Sequence, residues 1–149
     1  MKHMDQKNVI ISIIGSQRYK NGADDKIELV TDGVFKYENG QGSFSYMESE
    51  LTGLEGTKTS FSFGGPLGVV ITREGTTNSQ MIFEEGQKHN FLYDTPFGAA
   101  TMGVNTKRIY MGMDESGGDL EIDYLVDYQQ SLIGDNNFKI NVRELKEEI

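Results

Sequence analysis

Apolar and polar residues alternate with a period of two along almost the whole chain, and glycine-rich turns close each run. The alternation is clearest in DLEIDYLVDYQQ, where Leu120, Ile122, Tyr124, Val126 and Tyr128 share one face and Glu121, Asp123 and Asp127 the other. In FKINVRE, Phe138, Ile140 and Val142 alternate in the same way with Lys139, Asn141 and Arg143. Successive side chains of a strand point to opposite faces, so this is the pattern of a strand with one buried face. Runs of this kind are read at 8–20, 26–38, 43–51, 57–64, 67–74, 79–85, 89–95, 98–113, 118–132 and 137–145. The connections carry turn chemistry: NGADD (21–25), ENGQG (38–42), GGPLG (64–68), REGTT (73–77), EEGQK (84–88), ESGGD (115–119) and GDNN (134–137).

Ten strands at hairpin spacing, with no strong amphipathic helix between them, define an all-β chain and leave a sandwich or an antiparallel barrel. The runs 8–20, 98–113 and 118–132 are long for a sandwich. They suit the tilted strands of an antiparallel up-and-down β-barrel of eight to ten strands, with bulges expected at Gly15, Gly33 and Gly103. Closure also removes exposed strand edges, which matters in a chain so rich in strand. The 149 residues are read as one domain, 1–149. A chain of that size buries roughly 68–70% of its unfolded surface and needs no covalent staple. Residues 1–7 are expected to be disordered or partly vector-derived. The tail RELKEEI has the residue types of a helical turn but is too short to decide.

Charge narrows the partners. With 23 acidic against 14 basic residues the net charge is −9, which repels a phosphate backbone and gives no general attraction to anionic lipid. Neither nucleic acid nor membrane is expected as a partner. The chain has no cysteine, which excludes disulfides and thiolate metal sites. The apolar run Val9–Ile14 is too short for a signal core or a membrane span, and a cytoplasmic setting is expected.

The stretch SYMESELTGLEGTKT, residues 45–59, raises the functional question. Strand parity sets Tyr46, Glu48 and Glu50 on one face with Phe44. If that face looks inward, two carboxylates enter the interior and need a partner or an altered proton affinity, because isolated burial of a charge costs several kcal/mol. Arg73 closes the inward face of LGVVITREG and is the expected partner, since a guanidinium grips a carboxylate with two parallel hydrogen bonds; Lys58 is second. Glu48, Glu50, Arg73 and a nearby tyrosine are therefore read as the rim of a cavity. The plain structural alternative is a strand-end ion pair.

Other motifs carry less. TPFG at 95–98 reads as a tight turn, with Pro96 fixing its own φ and Gly98 allowing a positive one. GGPLG has neither the helix nor the lysine of a phosphate loop. His89 has no second histidine or cysteine with which to share a metal, the acidic clusters lack calcium-loop spacing, and no hydrolase or redox motif is present. No metal, cofactor or catalytic residue is assigned.

YMESELTGLEGTKT, TREG, FEEG, YDTPFG, NTKRI and GGDLEIDY, in that order between Val9 and Val142, resemble the bacterial YwiB-like family of domains of unknown function. The resemblance implies a calycin-like, lipocalin-like barrel in a cytoplasmic protein of a Gram-positive bacterium. It supplies no catalytic residue. Glu48, Glu50, Arg73, Phe83, Tyr93, Thr95, Pro96 and Gly98 fall at motif positions, and Phe97 stands where a tyrosine is common, so a hydroxyl there is dispensable. The leading functional expectation is a small molecule bound in the barrel interior or mouth by Tyr46, Glu48, Glu50, Arg73, Phe83 and Tyr93. A filled structural or protein-interaction barrel, monomeric or homodimeric, is the alternative. An enzyme using Glu48 or Glu50 comes third.

Overall fold

The computed structural model describes residues 6–66, 68–95, 98–129 and 131–145, with the backbone alone for 93–95. Ten strands succeed one another: β1 (Gln6–Tyr19), β2 (Asp24–Glu38), β3 (Gln41–Met47), β4 (Thr57–Gly65), β5 (Gly68–Gly75), β6 (Ser79–Phe83), β7 (Lys88–Thr95), β8 (Gly98–Asp114), β9 (Gly117–Tyr128) and β10 (Ser131–Glu144). Their order in the sheet, β6-β5-β4-β3-β2-β1-β10-β9-β8-β7, is the chain order written round a circle. All pairings are antiparallel, β1 meets β10, and the two edge strands are themselves consecutive. The result is an up-and-down, lipocalin-like barrel with one unladdered seam, between β6 and β7.

That seam is tied by its own turn. Gly86 N donates to Thr106 O at 2.9 Å and Thr106 N donates to Gln87 O at 3.2 Å. Nearby, the Glu85 carboxylate accepts from Ile109 N at 3.0 Å, and His89 Nε2 lies 2.9 Å from Glu84 Oε1. The β8–β9 register shifts between Thr106 and Arg108, at the place where this turn docks. A bulge that frees backbone groups from the ladder offers them to the turn instead.

The inward faces are those the alternation predicts. Phe35, Phe44, Phe61, Phe83, Ile11, Ile71, Leu120 and Ile122 are fully buried. Each such side chain contributes about 1.5–3 kcal/mol by leaving water. Phe44 stacks on Phe61 with centroids 4.8 Å apart, and this aromatic block fills the middle of the barrel.

Three expectations change. GDNN is strand, not turn: β9 ends at Tyr128, β10 starts at Ser131, and the extra residue is absorbed by a register shift between Leu132 and Gly134. The other shifts lie at Ser62/Gly65 and Thr106/Arg108, so Gly15, Gly33 and Gly103 are not bulges. Gly33 serves close approach instead, because a Cβ there would collide with the Ser45 carbonyl oxygen and Ile11 Cδ1 just where β2 starts to pair with β3. Finally, Gln6 and Lys7 belong to β1, and Lys7 pairs with Glu144 at 2.8 Å. Gly98 takes the positive φ expected of it, 116°. Leu67, Pro96, Phe97, the opening MKHM and residues 146–149 of the tail lie outside the described residues, while Arg143 and Glu144 of that tail are strand. Among the described residues no helix is long and apolar enough to cross a membrane.

Candidate functional site

Register builds a polar layer at one end of the aromatic block. Across β3, β4 and β5, Tyr46 lies opposite Thr59 and Thr59 opposite Arg73. Across β8, β9, β10, β1 and β2 the corresponding row is Thr106, Tyr124, Asn136, Gln17 and Asp25. Glu48 follows Tyr46 on the same inward face, one residue past the end of β3, fixed by a backbone bond from its N–H to Thr57 O at 2.8 Å. Among the described residues, four buried side-chain atoms lack a hydrogen-bond partner: Glu48 Oε1, Thr59 Oγ1, Arg73 Nε and Thr106 Oγ1. All four belong to this layer. Buried polar atoms are nearly always satisfied in proteins, so their concentration here calls for a cause.

Beside them lies a cavity of about 230 Å³. Tyr46, Glu48, Arg73, Tyr124 and Phe138 line its interior, with Ile13, Gly15 and Leu29; Lys26, Ile27, Thr52 and Leu54 line its mouth. The mouth has a structural origin. β3 pairs with β2 only from Val34 to Glu38, so among the described residues the Asp24–Gly33 edge of β2 has no strand on that side.

Glu48 is 6% exposed. Its Oε2 accepts from Thr52 Oγ1 at 3.1 Å, and Oε1 is buried without a partner. The expected clasp by Arg73 is absent: the ion pairs among the described residues do not include Glu48 or Arg73. Lys58 sits on the outer face, exposed, and is no substitute. The two charges nevertheless act on the same neighbour. Burial pushes the Tyr46 hydroxyl well above the usual phenol range, the Glu48 charge adds to this, and the Arg73 charge opposes it. Burial also raises Tyr124, against the effects of Asn136 and Arg73. Both phenols stay protonated near neutrality and can donate.

Glu50 is not part of the site. It opens a one-turn 3-10 helix, Glu50–Thr52, and is exposed. Ser49 caps that turn by accepting from Leu51 N, and Gly53 ends it at φ 76°, so strand parity stops at Glu48. The sequence carried this signal: serine before and glycine after ELT is the signature of a capped turn. Glu50 therefore does not accompany Glu48 in the cavity, whose other lining carboxylate is Asp25. Phe83 is fully buried behind the cavity wall, edge-on to Tyr124 at 4.9 Å and 72°. The backbone of Tyr93 pairs with Ala100; its side chain lies outside the described residues. Tyr124, Phe138, Thr59 and Asn136 join the site unannounced. The first two were legible as inward residues of their strands, and Asn136 was hidden by the reading of GDNN as a turn. No cluster of three or more metal-ligating side chains occurs among the described residues.

The family model described as "Domain of unknown function (DUF1934)" matches residues 11–140. The crystal structure of the ywiB protein from Bacillus subtilis superposes with a TM-score of 0.82 at 21% identity, covering 96% of each chain. That likeness is one of fold. No curated protein matches this chain.

Proposed function

The chain belongs to the DUF1934 family of domains of unknown function, and from that starting point we propose that it is a binding barrel that holds a small polar molecule at the polar end of its interior. The observation that carries this reading is that Glu48 and Arg73, each with a partnerless buried polar atom and neither in an ion pair, line one cavity with an open mouth. A barrel filled for stability alone gains nothing by keeping the buried Glu48 carboxylate apart from the half-buried Arg73 guanidinium, since an uncompensated buried charge costs several kcal/mol. Binding sites accept such costs because a ligand repays them. Barrels of about this strand number are wide enough to hold one small ligand. The absence of cysteine and the net charge of −9 support a cytoplasmic setting and a small ligand over nucleic acid.

The test is a thermal-shift screen against pooled small polar metabolites, with wild type beside Arg73→Leu. A ligand at one hundred times its Kd stabilises the folded state by about 2.7 kcal/mol. Wild type should respond to at least one pool and the variant should not. Equal responses from both proteins would place the binding elsewhere, and no response from wild type would leave the filled-barrel reading.

A further inference from the structure

The charges of the cavity restrict what can occupy it. Glu48 meets neutral donors alone, the Thr52 hydroxyl and the Tyr46 phenol, Arg73 Nε has no acceptor, and neither residue is in an ion pair. The protein offers no substitute close by. Lys26, at the mouth, is engaged by Glu28 at 3.1 Å, and Lys58 is on the outer face. Asp25 already accepts from the Lys26 N–H at 2.9 Å, and Glu74, next to Arg73, is exposed. The cation that would satisfy Glu48 and the anion that would satisfy Arg73 must both come from the occupant. An occupant bearing only an acid would pair with the guanidinium and repel the carboxylate; one bearing only an amine would do the reverse.

We infer that the cavity takes a small zwitterion of amino-acid size, its carboxylate held by Arg73 and its ammonium by the Glu48 carboxylate. This rests on the binding-barrel reading above and names the ligand class for the same site. The carboxylate end gains most, because the planar fork of a guanidinium can make two parallel charge-assisted bonds to it. The neutral phenol of Tyr46 lines the cavity with them and feels both charges. Size agrees. A cavity of about 230 Å³ is of a size to take a free amino acid. The lining also holds the apolar side chains of Ile13, Leu29 and Phe138. A zwitterion with an apolar side chain therefore matches both kinds of lining, and its absence of net charge matches a lining in which two acids, Glu48 and Asp25, balance two bases, Arg73 and Lys26.

The experiment is isothermal titration of the full-length protein with the free L-amino acids and γ-aminobutyrate. Each binder is then compared with its deaminated acid and its decarboxylated amine; for leucine these are isocaproate and isoamylamine. Neutral sugars of similar size form a separate arm. At least one zwitterion should bind, both truncated analogues should bind at least tenfold more weakly, and Glu48→Gln and Arg73→Lys should each weaken the zwitterion by tenfold or more. Circular dichroism of both variants confirms that they are folded. If a truncated analogue or a sugar binds as tightly as any zwitterion, the ligand class is wrong and the binding-barrel reading survives. If no compound of any class binds, both fall.

Discussion

Thr106 and Tyr46 show how individual residues at the polar end differ from ordinary core. Thr106 is 1% exposed and its hydroxyl has no partner. An unsatisfied buried hydroxyl costs roughly 1–3 kcal/mol, and valine keeps the shape while removing it. Thr106→Val is expected to raise the melting temperature; a loss of stability in denaturant titration would mean that the hydroxyl is satisfied in solution. Tyr46 makes a pH-dependent statement. Its folded-state proton affinity is raised above the ordinary phenol value of 10.0, mainly by burial. The sign follows from linkage: the stability is intact below the unfolded value and is lost as pH climbs from there toward the folded one, because the unfolded chain releases the proton first. Melting curves between pH 9 and 11 should fall less steeply for Tyr46→Phe than for wild type, by up to about 1.4 kcal/mol per pH unit. Parallel curves would show a Tyr46 hydroxyl with ordinary access to water. Residue identity was legible here for Tyr46, Glu48 and Arg73, since parity alone turns them inward. Parity could not reveal that Arg73 and Glu48 stay apart, because the direction of a strand residue fixes neither the reach of a long side chain nor its choice of partner.

Strands were legible in position and less so in their irregularities. The hairpin turns at 38–42 and 84–88 hold the chemistry that the sequence announces, and the strand assignments follow to within a few residues. What escaped was the three-residue turn after Ser49, which has the capping residues of a helix but is far shorter than any periodic signal, and the strand character of GDNN. In GDNN the composition is that of a turn, yet Gly134 and Asn136 are buried facing the interior. Ladder pairing with β9 overrode local preference, as it does when one face of a strand must be covered. Gly33 carries the prediction at this scale. Its close approach to Ser45 and Ile11 leaves no room for a methyl group. Gly33→Ala should destabilise by about 1–3 kcal/mol, the usual cost of overpacking, as read from the midpoint of denaturant unfolding. An unchanged midpoint would show that β2 can shift away from β3 at no cost.

At the level of the molecule, one ring of strands serves two purposes. The aromatic block of Phe35, Phe44, Phe61 and Phe63 stabilises the barrel, while the polar layer beyond it leaves a cavity whose mouth exists because β3 is shorter than β2. The barrel class follows from the alternation and the strand lengths. The coexistence of filled and open halves does not, since it depends on where one strand stops. The central claim is that Glu48 and Arg73 face a shared occupant and not each other. A crystal structure of the complex with the tightest-binding amino acid tests this most directly. Density for the ligand should bridge the Arg73 guanidinium and the Glu48 carboxylate; a guanidinium clasped on Glu48, with the ligand elsewhere or absent, would contradict it.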